Sequence, residues 1–180
     1  MAVAGFVAAV GTACQPQTVP TVPPPTTTTT APTTTTVPQT TTTTTPPVPA
    51  PSLAKATCAS GSTITVATSV VEDVRDLLAA AKSDGLSLCG GGYRSADAQI
   101  AVRQANCGTT YYDIWLKPAS QCMPPTAIPG TSMHEKGLAI DFTTCSTRTT
   151  SCYMWLAANA ADFGFVNLPS EPWHWSTNGL

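Results

Sequence analysis

Ser132-Met133-His134-Glu135-Lys136-Gly137-Leu138-Ala139-Ile140-Asp141, joined near the C-terminus by Glu171-Pro172-Trp173-His174-Trp175, holds both histidines of this 180-residue chain. The chain has only eight Lys and Arg and ten Asp and Glu, yet each imidazole has a carboxylate within a few residues. His134 and Asp141 are too far apart in sequence to share one helical face, which wants a spacing of three or four. A loop-borne His134 followed by a strand fits better. Gly137 lets the chain turn, Leu138 and Ile140 pack to one side, and Ala139 and Asp141 face the other.

The second stretch reads in the same way. In a strand, Trp173 and Trp175 share one face and pack, while His174 points oppositely into a cleft. Glu171 would then point away from the His174 side, so the Ser170-Glu171-Pro172 turn must bend the chain for Glu171 to join it. A hydrolytic zinc takes three protein ligands and keeps one position open. His134, Asp141 and His174 supply such a set, with Glu171 left over as a proton carrier. Singly, a buried histidine is more often a satisfied core residue and a Glu-x-x-His triplet arises by chance; the joint pattern carries the metal reading. Glu135 reads as a solvated neighbour.

Composition sets bounds around this centre. A formal net charge of −2 leaves no basic patch, so nucleic acid and a polybasic membrane contact are excluded as partners. Of seven cysteines, Cys58, Cys89, Cys107, Cys122, Cys145 and Cys152 lie in the part that reads as folded. An even set in a small exported domain is commonly three disulfides. Among fifteen connectivities, local pairing favours Cys107 with Cys122 and Cys145 with Cys152, leaving Cys58 with Cys89. A structural zinc site made by these cysteines is weaker, because no Cys-x-x-Cys pair occurs.

Residues 1–14 read as an export signal, apolar but too short to span a bilayer. Small residues before Cys14 resemble a bacterial lipoprotein processing site, although Gly11 stands where a larger aliphatic residue is usual; lipid anchoring through Cys14 and plain export both stay open. Residues 15–51, nearly all Thr, Pro, Val and Gln, cannot bury enough surface to offset ordering entropy. They read as a disordered stalk, reaching on the order of 100 Å at about 3.1 Å per residue. Residues 52–180 form the expected folded domain.

Within that domain, Ser69-Val70-Val71-Glu72 reads as a capping box opening a helix with Val70, Val71, Val74, Leu77, Leu78 and Ala81 inward, closed by Gly85. Leu86 to Cys89 alternates as a strand into the turn Gly90-Gly91-Gly92-Tyr93-Arg94-Ser95. Ser95 caps a second helix whose apolar residues are Ala98, Ile100, Ala101 and Ala105, ended by Gly108. Residues 109–130 read as a disulfide-pinned loop, and 138–142 as a buried strand. A third helix spans 152–162, with Trp155, Leu156 and Ala160 on one side and Gly164 as its stop; Phe165–Leu168 and Trp173–Trp175 close the domain as strands. The class is α+β, a small antiparallel sheet with flanking helices, stapled by disulfides.

Ser132-x-His134-x-x-Gly137-x-Ala139-x-Asp141 followed by Glu171-x-x-His174, with Gly92-Tyr93-Arg94-Ser95-x-x-x-Gln99 upstream, resembles the VanY-type zinc D,D-carboxypeptidases, which share the hedgehog/D,D-peptidase-like fold. The resemblance runs from about Leu77 to Trp175. It implies that His134, Asp141 and His174 bind Zn2+ and that Glu171 is the base activating the zinc's water. It further implies that Arg94 stabilises the oxyanion while Ser132 and Gln99, with Tyr93 and Ser95 beside them, place the peptide end. The implied substrate is the D-Ala-D-Ala end of peptidoglycan stem peptides outside a bacterial membrane, acted on by a monomer. The disulfide-rich loops, with the segment from Cys107 to Cys122 looking like an inserted flap, depart from the pattern. An endopeptidase or L,D-carboxypeptidase of the same family, or a non-catalytic zinc-containing wall-binding module, are the alternatives.

Overall fold

The computed structural model describes residues 50–180. The expectations for residues 1–14, Cys14 included, and for nearly all of the 15–51 stalk lie outside the described residues.

Short Thr- and Ala-rich strands build the first hairpin, β1 (Leu53–Thr57) paired antiparallel with β2 (Thr63–Ala67). Ala56, Ile64 and Val66 are buried on its inner side. Helix α1 (Val71–Ser83) packs Val71, Val74, Leu77, Leu78 and Ala81 inward, as their helical spacing predicts. Its start differs from the expected capping box. Val70 is the cap residue and no side chain caps the helix, because the preceding turn returns Val70 N–H to the Ala67 carbonyl at 3.1 Å. Glu72 therefore lies one position too early for the box and instead accepts from Arg75.

The main sheet is four-stranded and antiparallel, in the order β3 (Gly90–Gly91), β4 (Ala139–Phe142), β6 (His174–Ser176), β5 (Val166–Asn167). Leu86 to Cys89 is not strand. Its would-be partner β4 ends at Phe142, where the chain turns and Cys145 N–H bonds the Phe142 carbonyl, so pairing begins only at Gly90. β6 begins at His174, which leaves Trp173 outside the ladder and 37% exposed while Trp175 is buried; the two tryptophans do not pack as one face. Ile140, Phe142, Leu156, Phe165 and Trp175 join the α1 side chains and the hairpin in one core. At about 1.5–3 kcal/mol per fully buried large apolar side chain, this cluster is the main source of stability.

The remaining helices carry the loops. α2 (Ala96–Cys107) is capped by Ser95, whose hydroxyl accepts from Ala98 N–H at 3.2 Å, and ends at Gly108 as expected. Its inward face is not the expected Ala98, Ile100, Ala101 and Ala105 but Gln99, Arg103 and Cys107. The reason lies in residues 109–130, which are more ordered than a loop. They contain α3 (Tyr111–Trp115), opened by a Thr110–Asp113 capping box, and a 3-10 turn at Ala119–Gln121. Arg103, fully buried, donates from Nε to the Asp113 and Ile114 carbonyls at 3.0 Å and from its other nitrogens to the Thr126 and Lys117 carbonyls. A buried guanidinium is tolerable only when its donors are met, and here they are met by the flap's backbone.

α4 (Ser151–Asn159) runs on as a 3-10 turn over Ala160–Phe163 and stops at Gly164; Cys152, Leu156 and Ala160 are its buried residues, with Trp155 half-buried. The cysteines pair as expected: Cys58 with Cys89, Cys107 with Cys122, Cys145 with Cys152. Among the described residues no helix is long and apolar enough to cross a membrane.

Candidate metal centre

Asp141 and His174 face each other directly across the β4–β6 ladder, so sheet register alone sets one carboxylate beside one imidazole. Their hydrogen bond, His174 Nδ1 to Asp141 Oδ1, is 2.8 Å. His134 comes from the turn before β4. That turn needs Gly137, whose φ of +69° is left-handed and whose absent Cβ would sit 2.6 Å from Ala67 N. Gly137 N–H returns to the His134 carbonyl at 3.0 Å, and the buried Ser132 hydroxyl accepts from His134 N–H at 3.2 Å. His134 Nε2 thus lies 3.1 Å from Asp141 Oδ2 and 3.2 Å from His174 Nδ1.

One ligand atom from each of His134, Asp141 and His174 lies within 4.8 Å of the others. The outer nitrogens of both imidazoles are spoken for: His134 Nδ1 meets the Gly92 carbonyl at 2.7 Å and His174 Nε2 the Leu180 carbonyl at 2.9 Å. A carbonyl only accepts, so each outer nitrogen carries its proton, and both inner nitrogens of the neutral rings present lone pairs. Two lone pairs and a carboxylate converging on one point need a positive charge between them. Burial works to lower His174, but the hydrogen bond and charge of Asp141 outweigh it and raise His174 above its ordinary value. Burial alone would raise Asp141, yet hydrogen bonds from His134 and His174 hold it well below the usual carboxylate range. A divalent cation that accepts nitrogen and oxygen donors fits this set.

Glu171 is brought to the same cleft by two successive turns. Glu171 N–H bonds the Leu168 carbonyl at 2.9 Å, and His174 N–H bonds the Glu171 carbonyl at 3.1 Å, which bends the chain at Pro172. Asn167 fastens the bend, donating from Nδ2 to both the Glu171 and His174 carbonyls at 2.9 and 3.0 Å. Glu171 lines the cleft with the three ligand candidates. Burial pushes its carboxyl up, opposed by the charge of His174 and reinforced by that of Asp141.

Arg94 also lines the cleft; its Nη2 is 3.5 Å from Asp141 Oδ2 and its Nη1 donates to Gln99 Oε1 at 2.9 Å. Gln99 is buried and spends its amide on the Ala127 carbonyl, so it touches Arg94 and the cleft wall together. Tyr93 and Ser95 do not line the cleft; Tyr93 N–H binds the Thr65 carbonyl and Ser95 caps α2. Glu135 is not simply solvated, for its carboxylate accepts from Gly130 N–H at 2.8 Å. The cleft, about 520 Å³, takes one wall from Pro124 to Ile128 and another from Trp173 and Leu180. Leu180 and Asn167 were missed by the sequence reading. Their work is done through backbone carbonyls and a side-chain amide, which leave no residue-type signature.

The VanY family model, described as D-alanyl-D-alanine carboxypeptidase, matches residues 63–180. A D-alanyl-D-alanine carboxypeptidase of Enterococcus faecalis is 28% identical over 123 residues, covering 59% of this chain and 46% of the relative. The chain thus spans about half the length of that curated relative. Among solved structures, VanYB in complex with D-alanine-D-alanine is similar at 24% identity and a TM-score of 0.50, over 69% of this chain and 77% of that one. A VanY variant from a VanB-type resistance cassette in complex with Zn(II) is also similar, at 24% identity and a TM-score of 0.49, over 69% and 78% of the two chains.

Proposed function

The chain belongs to the VanY family of D-alanyl-D-alanine carboxypeptidases, and from that premise we propose that it is a zinc peptidase removing the terminal D-alanine from peptidoglycan stem peptides outside the bacterial membrane. The observation that supports this best is the convergence of His134, Asp141 and His174 in one cleft with a separate, burial-raised Glu171. His134 through Nε2, His174 through Nδ1 and Asp141 through its carboxylate would hold the zinc. When bound, zinc polarises a carbonyl and lowers the pKa of water to about 7.

The chain's own groups do the rest. Glu171 takes a proton from the attacking water onto a carboxylate oxygen and passes it to the leaving amine nitrogen. General acid-base work of this kind is worth about 10²–10⁴ in rate, and a carboxyl raised by burial is better matched to it than an ordinary one. Arg94 offers a planar cationic fork to the carbonyl oxygen as charge develops there. Gln99 holds that fork by its Nη1, and Ser132 holds the His134 turn. Three disulfides suit an exported protein, and the proposed place of action is the cell wall.

A Glu171→Ala variant is expected to keep one zinc per chain by metal analysis and to lose at least about 10²-fold in kcat on a pentapeptide ending in D-Ala-D-Ala. Unchanged turnover would remove Glu171 from the mechanism. Mass spectrometry of products from defined muropeptides tests the bond: loss of one D-alanine supports the carboxypeptidase, internal cuts the endopeptidase, and an intact substrate with bound zinc the non-catalytic module.

A further inference from the structure

Five of the ten large apolar side chains exposed among the described residues fall within one short segment: Tyr111, Tyr112, Trp115, Leu116 and Met123. Tyr111 is 71% and Met123 86% exposed. Exposed apolar side chains gathered in this way mark a contact site more often than scattered single ones. The segment is also held unusually firmly for five residues of helix. The Cys107–Cys122 disulfide closes it, the Thr110–Asp113 box opens α3, and Lys117 Nζ bonds the Cys107 carbonyl at 2.6 Å. The Arg103 guanidinium bonds the α3 carbonyls on one side and Thr126, a residue of the cleft wall, on the other. One planar group therefore spans from the aromatic ledge to the cleft, and two more of the ten exposed side chains, Trp173 and Leu180, line the cleft itself.

We propose that this ledge docks the glycan strand to which the stem peptide is attached, an inference that rests on the proposed peptidoglycan substrate. A stem peptide with its end in the cleft leaves the cleft toward the sugar that bears it, and the chain that carries the ledge also supplies Ala119 and Pro124 to the cleft's lining. Its chemistry fits an uncharged polymer with apolar sugar faces. The only charges on the flap, Asp113 and Lys117, pair with each other at 3.2 Å, so no free cation on it faces an anionic lipid surface. Tyr and Trp combine an apolar ring with a polar edge, and their few rotatable bonds make contact at low entropy cost.

The test compares the wild-type chain with Tyr111→Ser/Tyr112→Ser and with Tyr111→Phe/Tyr112→Phe. Each is assayed on a free pentapeptide and on the same pentapeptide carried by glycan strands, and sedimented with peptide-free glycan strands. The expected result is that the serine variant loses about ten-fold in kcat/KM on the glycan-borne peptide only and no longer sediments with bare strands, while the phenylalanine variant keeps both. Equal effects on both peptides, or none, would overturn the proposal. So would retention of glycan sedimentation by the serine variant, or its loss of binding to phosphatidylglycerol vesicles or of self-association instead. If neither peptide is cleaved by any form, the peptidase reading fails, while sedimentation with bare strands still decides the ledge.

Discussion

At the scale of single residues, the site depends on groups that hold its ligands as much as on the ligands. Asn167 touches neither the cleft's reacting groups nor the metal donors, yet its amide clamps the two carbonyls that flank the bend carrying Glu171 and His174. Loss of a group that orients ligands typically costs about 10–100-fold in metal affinity or activity. Asn167→Ala is expected to weaken zinc binding by that order in chelator competition and to lower kcat as well, since one bend carries both the proposed ligand His174 and the proposed base Glu171. If zinc affinity and turnover both match wild type, the clamp does not act on the site. The same bend shows where residue-level reading stopped. Strand alternation sets both tryptophans opposite His174, whereas Trp173 lines the cleft beside it, and it points Glu171 away unless the chain bends at Pro172. Only the paired turns at Leu168–Glu171 and Glu171–His174, which depend on backbone bonds, bring it back.

Among elements, legibility followed the distance over which the controlling contacts act. The His134 turn and β4 were readable because Gly137 and Ile140 work within a few residues, and α1 because its core face repeats at helical spacing. α2 was misread because its partners, the carbonyls of Asp113, Ile114, Lys117 and Thr126, lie ten to twenty-three residues on. Nothing in an Ala-rich helix announces that its polar stripe faces inward. α3 does carry a local signal, the Thr110-x-x-Asp113 box, but the prolines that follow it at 118, 124 and 125 mask it. The Arg103 hub yields an element-scale prediction. Arg103→Met keeps the bulk but leaves buried carbonyls unpaired, at about 1–3 kcal/mol for such a group. The flap, residues 109–127, is expected to gain amide hydrogen exchange, and global stability to fall by about 2–4 kcal/mol. Exchange that rises equally in β1 and β2 would show instead that the hub supports the whole core.

Across the whole molecule, the three candidate donors come from a turn and two neighbouring strands, so the proposed metal binding would be coupled to folding. The protonation states fix how that coupling depends on pH. Asp141, lowered in the folded state, contributes stability that is present above its unfolded value of about 3.9 and lost as pH falls through its folded value. His174, raised in the folded state, contributes stability that is present below about 6.5 and lost as pH rises through its raised value. Metal-free protein is therefore expected to be most stable between about pH 4 and 6.5. Zinc requires the inner nitrogen of His174 without its proton, so its stabilisation is discounted below the raised pKa, with one proton displaced per ion or about 1.4 kcal/mol per pH unit. At fixed free zinc, the melting temperature of the loaded protein should exceed that of the chelated protein by a margin that widens with pH. The slope, about 3–6 °C per unit, should hold up to the folded pKa of His174 and flatten beyond it. Melting curves with zinc and with chelator from pH 5 to 8 measure this directly. A margin independent of pH would mean that no proton leaves on binding, and would remove His174 from the proposed ligand set.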